Sequence, residues 1–397
     1  MSPRLEEFSL PLKRPLATAR GEITARRGFL VGVEWDDGTR GVGEATPLPG
    51  WTESFEECAA FLRGLDGGGD PGGRGDGLRD REGDLSDRGD DPKNREDDPG
   101  DRGGDTRDRG DDPMGGGTDR RERPRARPAA RHGIGLADAD RRARREGRPL
   151  ASILAEASGG GPAASSVPAN ATVGDGPVGE TVAAAEEAVG EGFDCLKVKV
   201  GVRDLDADLD RLRAVRDAVG DGVTLRADAN GAWDRDAAER AVDALADLDL
   251  DYVEQPLPAA DLAGHAALRG RGIDVALDES LARHRLADVL GADAADVVVL
   301  KPMAIGGPLE TVRAARAAER RGVAPVVTTT IDAAVARAAA VHVAAAIPDA
   351  PPCGLATGGM LAEDLGADPV PVADGEVAVP AGPGTLGDAF DDLLWDG

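Results

Sequence analysis

Of the 47 basic residues in this 397-residue chain, only five are lysine, and three of those, Lys197, Lys199 and Lys301, bracket a run of spaced carboxylates. An amine can give up its proton where a guanidinium cannot, so lysines in so arginine-rich a chain mark a place for proton transfer. Lys13 and Lys93 read as ordinary surface residues. Between the lysines lie Asp228, Glu254 and Asp278, each closing a short apolar run in which an unpaired charge is costly. With Lys199, Lys301 and Thr328 they recur every 23 to 29 residues, the length of one strand-plus-helix unit of a parallel barrel.

The elements that would position them follow the same period. PANATV, CLKVKV, VTLRAD, DYVEQP, DVALDE, DVVVLKP, APVVTTT and CGLATG read as eight strands. Amphipathic stretches such as Asp204 to Val219, Asp234 to Leu248 and Pro308 to Arg321 read as the helices between them. This alternation predicts an α/β fold, a modified (β/α)8-type barrel over 155–360, with the marked residues on one rim at the strand C-termini. No glycine-rich nucleotide loop follows the first strand, which disfavours an open doubly wound sheet. Residues 1–154 read as an α+β capping domain: a strand over Phe29 to Trp35 runs into a turn at Asp36-Asp37-Gly38, Ser54 to Leu65 has helical spacing, and a further helix spans Ala137 to Leu154. Within it, 66–128 is a low-complexity segment repeating Asp-Arg-Gly-Asp-Asp-Pro, too poor in apolar residues to offset its ordering entropy, and is expected to be disordered. The tail 361–397 is expected to return to the cap.

Three converging carboxylates repel one another unless a cation neutralises them. An all-oxygen set with no nearby His or Cys suits Mg²⁺, with Mn²⁺ as a substitute. Lys197 and Lys199, two residues apart, project from the same side of their strand, roughly 6.6 Å apart along it. Lys301, four strands further on, would face them across the mouth. Such a set suits removal of a proton next to a carboxylate, the metal holding the carboxylate and an amine taking the proton.

Taken together, KVK, DAN, VEQPL, ALDES and VLKP resemble the enolase superfamily. The resemblance implies a barrel under an N-terminal cap, Asp228, Glu254 and Asp278 as metal ligands, Lys199 as the acid/base, Lys301 as its partner across the barrel, and Asn230 and Glu279 in support beside the ligands. Within that family, RPLATARGEITARRGFLVGVEW, GEATPLPGWTES and CGLATGGML are similar to the o-succinylbenzoate synthases of menaquinone biosynthesis. That implies syn dehydration of 2-succinyl-6-hydroxy-2,4-cyclohexadiene-1-carboxylate through an enediolate. Cap loops near Thr18 to Ile23 and Pro47 to Trp51 would close over the substrate. Dipeptide epimerases carry Asp-x-Asp after the last strand, whereas Ala356-Thr357-Gly358 stands here with no charge for an ammonium. N-succinylamino acid racemase, dipeptide epimerase and cycloisomerase activities, and a non-catalytic binding protein on an inherited barrel, are the alternatives.

Composition limits the partners. Acidic residues outnumber basic ones by 74 to 47, for a formal charge of −27, so nucleic acid and anionic membranes would be repelled. A small carboxylate held by a cation is the expected ligand, and a homo-oligomer is compatible with the sequence. The same acidity, with few lysines, suggests a halophilic host. Cys58, Cys195 and Cys353 are too scattered for a disulfide framework or zinc site and fit a reducing cytoplasm. The run Ala333 to Ile347 is interrupted by Arg337 and His342, so no membrane span is expected. His132, His265, His284 and His342 stand alone and read as ordinary surface or core residues.

Overall fold

A computed structural model describes residues 3–18, 21–65 and 127–395. The predicted segment 66–128 therefore lies outside the described residues, save Arg127 and Pro128.

The N-terminal part is an antiparallel sheet of β1 (Arg4–Thr18), β2 (Gly21–Glu34) and β3 (Arg40–Ala45), in that order. It is followed by α1 (Phe55–Gly64) and α2 (Pro128–Glu146). Ser54 and Glu57 form a reciprocal capping box that starts α1. The backbone of α2 lies directly on β3: a Cβ on Gly43 would come within 2.0 Å of the Gly133 carbonyl oxygen, so only glycine permits this packing. The single helix expected over Ala137 to Leu154 is two. Gly147, at φ 66, ends α2 and Pro149 precedes α3 (Leu150–Ala157), because a left-handed glycine closes a helix and proline cannot continue one.

A short strand, β4 (Ser166–Pro168), leads into the barrel: β5 (Ala171–Val173), α4 (Val178–Gly190), β6 (Cys195–Lys199), α5 (Leu205–Val219), β7 (Thr224–Asp228), α6 (Arg235–Leu245), β8 (Tyr252–Glu254), α7 (Leu262–Leu268) and β9 (Asp274–Leu277). Two short helices, α8 (Glu279–Arg283) and α9 (Leu286–Gly291), precede β10 (Val297–Leu300). Then come α10 (Pro302–Ile305), α11 (Pro308–Glu319), β11 (Ala324–Val327) and α12 (Ala334–Ala345). Strands β5 to β11 form one parallel sheet in sequence order. The fold is thus a TIM-like α/β barrel with an antiparallel capping sheet.

The eighth strand expected at CGLATG is reduced to two bridging residues. Cys353 N donates to Pro168 O, Asn170 N donates to Cys353 O, and Gly354 N donates to Val327 O, so 353–354 link the first and last strands and close the ring. Pro351 and Pro352 just before them have no N–H to extend the ladder. Thr328, placed on the rim from sequence, donates to Gly354 O at 2.8 Å and serves this closure.

Period-two alternation sorts the strand residues. Leu196, Val198, Leu225, Ala227, Val253 and Val275 join the cluster that includes Leu209, Leu212 and Val242 of the surrounding helices. Tyr252, Ala276, Val297 and Val326 form a separate cluster inside. Arg226, 1% exposed, lies within it: its guanidinium is 4.6 Å from the Tyr252 ring centroid and donates to Asp251 and Pro352 O.

Beyond α12, β12 (Val372–Ala373) pairs with β13 (Glu376–Ala378), which pairs with β4, and α13 (Asp392–Trp395) reaches β1, where Arg4 donates to Leu394 O. Among the described residues no helix is long and apolar enough to cross a membrane. Arg337 and His342 in α12 are both buried.

Candidate active site

Register places the rim residues side by side. Lys199, Asp228 and Glu254 are direct partners across β6, β7 and β8, while Asp278 and Lys301 directly follow β9 and β10. Lys199 Nζ lies 2.6 Å from Asp228 Oδ2 and 2.9 Å from Asn230 Oδ1. Lys197 Nζ lies 3.0 and 3.1 Å from the two oxygens of Glu254 and 3.1 Å from Asp228 Oδ2. Both lysines therefore project inward from one face of β6, as their spacing requires. Lys301 Nζ donates to Asp278 Oδ2 at 2.6 Å and sits 3.3 Å from the centroid of the Trp51 ring. The lysines stand on strands four places apart in the ring, with the three carboxylates on the strands between them or directly after.

Neighbouring residues fix these groups. Arg211, buried on α5, donates to Lys199 O and pairs with Asp208, holding the end of β6. Asn230 passes from Lys199 to Glu279, its Nδ2 donating to Glu279 Oε1 at 3.0 Å. Gln255, fully buried and left-handed at φ 44, accepts from the backbone N–H groups of Asp278 and Ser280 with one side-chain oxygen. The turn after Glu254 thereby sets the start of the Asp278 turn.

The electrostatics follow from burial among like charges. Desolvation pushes Glu254 up to about 7, with Asp228 adding to it and Lys197 only partly opposing. Burial likewise raises Asp278 to about 6 although Lys301 pulls the other way. Asp228 differs: burial raises it, but Lys197 and Lys199 outweigh that and hold it well below the usual carboxylate range. Burial works against the charge on Lys197, yet Asp228 and Glu254 prevail and hold its ammonium well above the usual lysine range.

Among the described residues no three His, Cys, Asp or Glu side chains are disposed to hold an ion as they stand, and ammonium groups lie against all three carboxylates. The donor set still fits a hard cation. All three side chains are carboxylates, Asp278 Oδ1 is buried with no hydrogen-bond partner, and two of the three are raised first by burial and then by neighbouring carboxylates.

Several contributing residues were not legible as such. Trp51 comes from the cap turn that was expected to cover the site, but its stacking on Lys301 needs the folded chain. Glu44 of GEATPLPG docks cap to barrel: its carboxylate accepts from Ala333 N and Ala336 N at the start of α12 and from the Thr46 hydroxyl. Its neighbours on the motif do related work, Thr52 closing the 48–52 turn and Glu53 accepting from Ala129 N and Ala130 N at the start of α2. His132, His265 and His342 are buried in hydrogen bonds away from the lysines.

A barrel that brings inward lysines and carboxylates to one rim beneath a cap defines a class, and the family model described as Enolase C-terminal domain-like matches residues 180–392. The chain belongs to the enolase superfamily. It is 41% identical over 214 residues to an o-succinylbenzoate synthase of Thermobifida fusca, a match covering 53% of this chain and 65% of that protein, just short of two thirds of its length. It is 31% identical over 260 residues to a chloromuconate cycloisomerase of Delftia acidovorans, covering 64% and 69% of the two chains. A dipeptide epimerase from Methylococcus capsulatus, solved with Mg and the dipeptide L-Arg-D-Lys, superposes with a TM-score of 0.71 at 26% identity over 96% of this chain and 98% of that one.

Proposed function

We propose that the protein is an o-succinylbenzoate synthase, removing water from 2-succinyl-6-hydroxy-2,4-cyclohexadiene-1-carboxylate to give 2-succinylbenzoate. The observation that carries this reading is the placement of Lys199 and Lys301 on strands four apart, each paired to one of the carboxylates between them. The 41% identity to an o-succinylbenzoate synthase favours this member of the superfamily. So do Ala356, Thr357 and Gly358, which offer no charge to a substrate ammonium.

Mg²⁺ held by Asp228, Glu254 and Asp278 would supply positive charge to the substrate carboxylate and to the enediolate formed from it. The chain's own residues do the rest. Lys199, as free amine, takes the proton α to the carboxylate, and the C–H electrons move into the enediolate. As the ring C–O bond breaks on the same face, Lys199 returns that proton to the departing hydroxyl, so one water leaves and the ring becomes aromatic. Lys301 stays an ammonium and neutralises the enediolate from the opposite side. Lys197 keeps Glu254 and Asp228 oriented, Asn230 and Glu279 aim Lys199, and Trp51 excludes water above Lys301.

The test is dehydration of the cyclohexadiene substrate with Mg²⁺ by wild type, Lys199→Ala and Asp228→Asn. Activity in wild type that disappears in both variants supports the reading; full activity in Lys199→Ala would overturn the mechanism. Cycloisomerisation is the second reading, favoured by the 31% identity to a chloromuconate cycloisomerase. Turnover of a muconate in place of the cyclohexadiene would select it. The net charge of −27 also supports work in concentrated salt, and retention of structure after dialysis into dilute buffer would count against that.

A further inference from the structure

Arg26 of β2 is 2% exposed, and its guanidinium is directed at main chain. Nη2 donates to Thr46 O at 2.9 Å, Nη1 to Pro47 O at 3.1 Å and Nε to Ile331 O at 3.1 Å. The first two carbonyls begin the cap turn that carries Trp51. That turn is closed by Leu48 N donating to Thr52 Oγ1, and its far end is tied to α2 through Glu53. The third carbonyl belongs to the loop after β11, at the end of the barrel where Lys301 sits. Ile331 there has φ 60, a left-handed conformation unfavourable for a β-branched residue and persisting only where its surroundings fix it. Its side chain packs with Leu10 of the cap and Leu361.

We infer that Arg26 is a positioning residue for the catalytic mouth: by holding Thr46, Pro47 and Ile331 together, it fixes the turn that places Trp51 over Lys301. A planar fork with five donors can serve three divergent carbonyls at once, and a lysine ammonium on a flexible stem cannot reproduce that geometry. Arg26 touches neither substrate nor reacting atoms; it acts through Trp51 and Lys301. The inference rests on the proposed reaction only for its kinetic arm.

The experiment compares wild type, Arg26→Lys, Trp51→Phe and the double variant. Arg26→Lys keeps a positive charge beside Glu44 and Asp332. The Trp51 contribution to fluorescence, taken as the difference from the matching Trp51→Phe protein, should become more accessible to acrylamide in Arg26→Lys. Its kcat for dehydration should fall on the order of tenfold to a hundredfold, as for other small misplacements near a reacting centre. The double variant should lose little more than the worse single one, the signature of two residues acting through one contact. Unchanged quenching of Trp51, or kinetic losses that multiply, overturns the inference. Where Arg26→Lys does not fold by circular dichroism, Ile331→Gly decides by the same quenching readout, because it loosens one of the three carbonyls and leaves every charge in place. Where wild type does not dehydrate the substrate, quenching alone decides, so failure of the proposed reaction remains distinguishable.

Discussion

Lys197 straddles the carboxylate of Glu254, its Nζ 3.0 and 3.1 Å from the two oxygens. The amine two residues earlier on β6 than Lys199 is thus turned toward a buried carboxylate, and the pair can be tested by breaking it. Lys197→Met strands Glu254, leaving Asp228 to Lys199 alone, and should cost on the order of 3 kcal/mol in urea unfolding without metal. Saturating Mg²⁺ should restore part of that loss. Equal destabilisation with and without Mg²⁺ would show that a cation does not take the place of the lost ammonium.

Glu254 also sets a pH dependence with a definite sign. Its folded-state value of about 7 lies above the ordinary 4.5, so between those limits the folded chain binds more protons at this site than the unfolded one. Stability contributed here is therefore present at low pH and lost as pH rises from about 4.5 to 7. Glu254→Gln, which cannot ionise, should gain stability relative to wild type over that interval in metal-free buffer at constant ionic strength. Asp278, raised to about 6 and facing Glu254, titrates in the same interval, so the difference reports the coupled pair, with Glu254 as the group removed. A difference that stays flat from pH 4.5 to 7 rejects the raised value.

Lys199 is separable from the proposed metal ligands. Lys199→Ala should lower kcat for dehydration on the order of 10³-fold, within the usual range for a general base, while Mg²⁺ still raises the melting temperature. Asp228→Asn should weaken that Mg²⁺-induced rise as well as activity. Thermal melts with and without Mg²⁺, run beside the kinetic assay, distinguish the two outcomes.

Glu44 is predicted to hold cap to barrel. Glu44→Ala leaves the Ala333 and Ala336 N–H groups at the start of α12 and the Thr46 hydroxyl without their buried acceptor. It should cost about 2 kcal/mol, as for a lost helix cap in an enclosed site. Urea midpoints measure this, and a change under a few tenths of a kcal/mol would contradict the docking role.

Much of the barrel was legible because a parallel strand buried on both faces must be apolar, so Asp228 or Glu254 at its end is conspicuous. The helices between strands announced themselves by caps, with Asp204 and Asp234 accepting from Ala207 N and Ala237 N at the starts of α5 and α6. Less visible was the eighth closing element, because two bridging residues carry no periodicity. The split between α2 and α3 lay in Gly147 and Pro149, which local chemistry does mark.

The sequence by itself determined which side chains could carry charge to the rim and at what interval, since strand and helix lengths fix that repeat. Tertiary structure alone decided that each ammonium faces a particular carboxylate, that Trp51 covers Lys301, and that Glu44 and Arg26 bind the cap to the mouth. Those contacts join residues as far apart as Arg26 and Ile331, and their distances depend on how sheet and helices pack. No local pattern of residues encodes that packing.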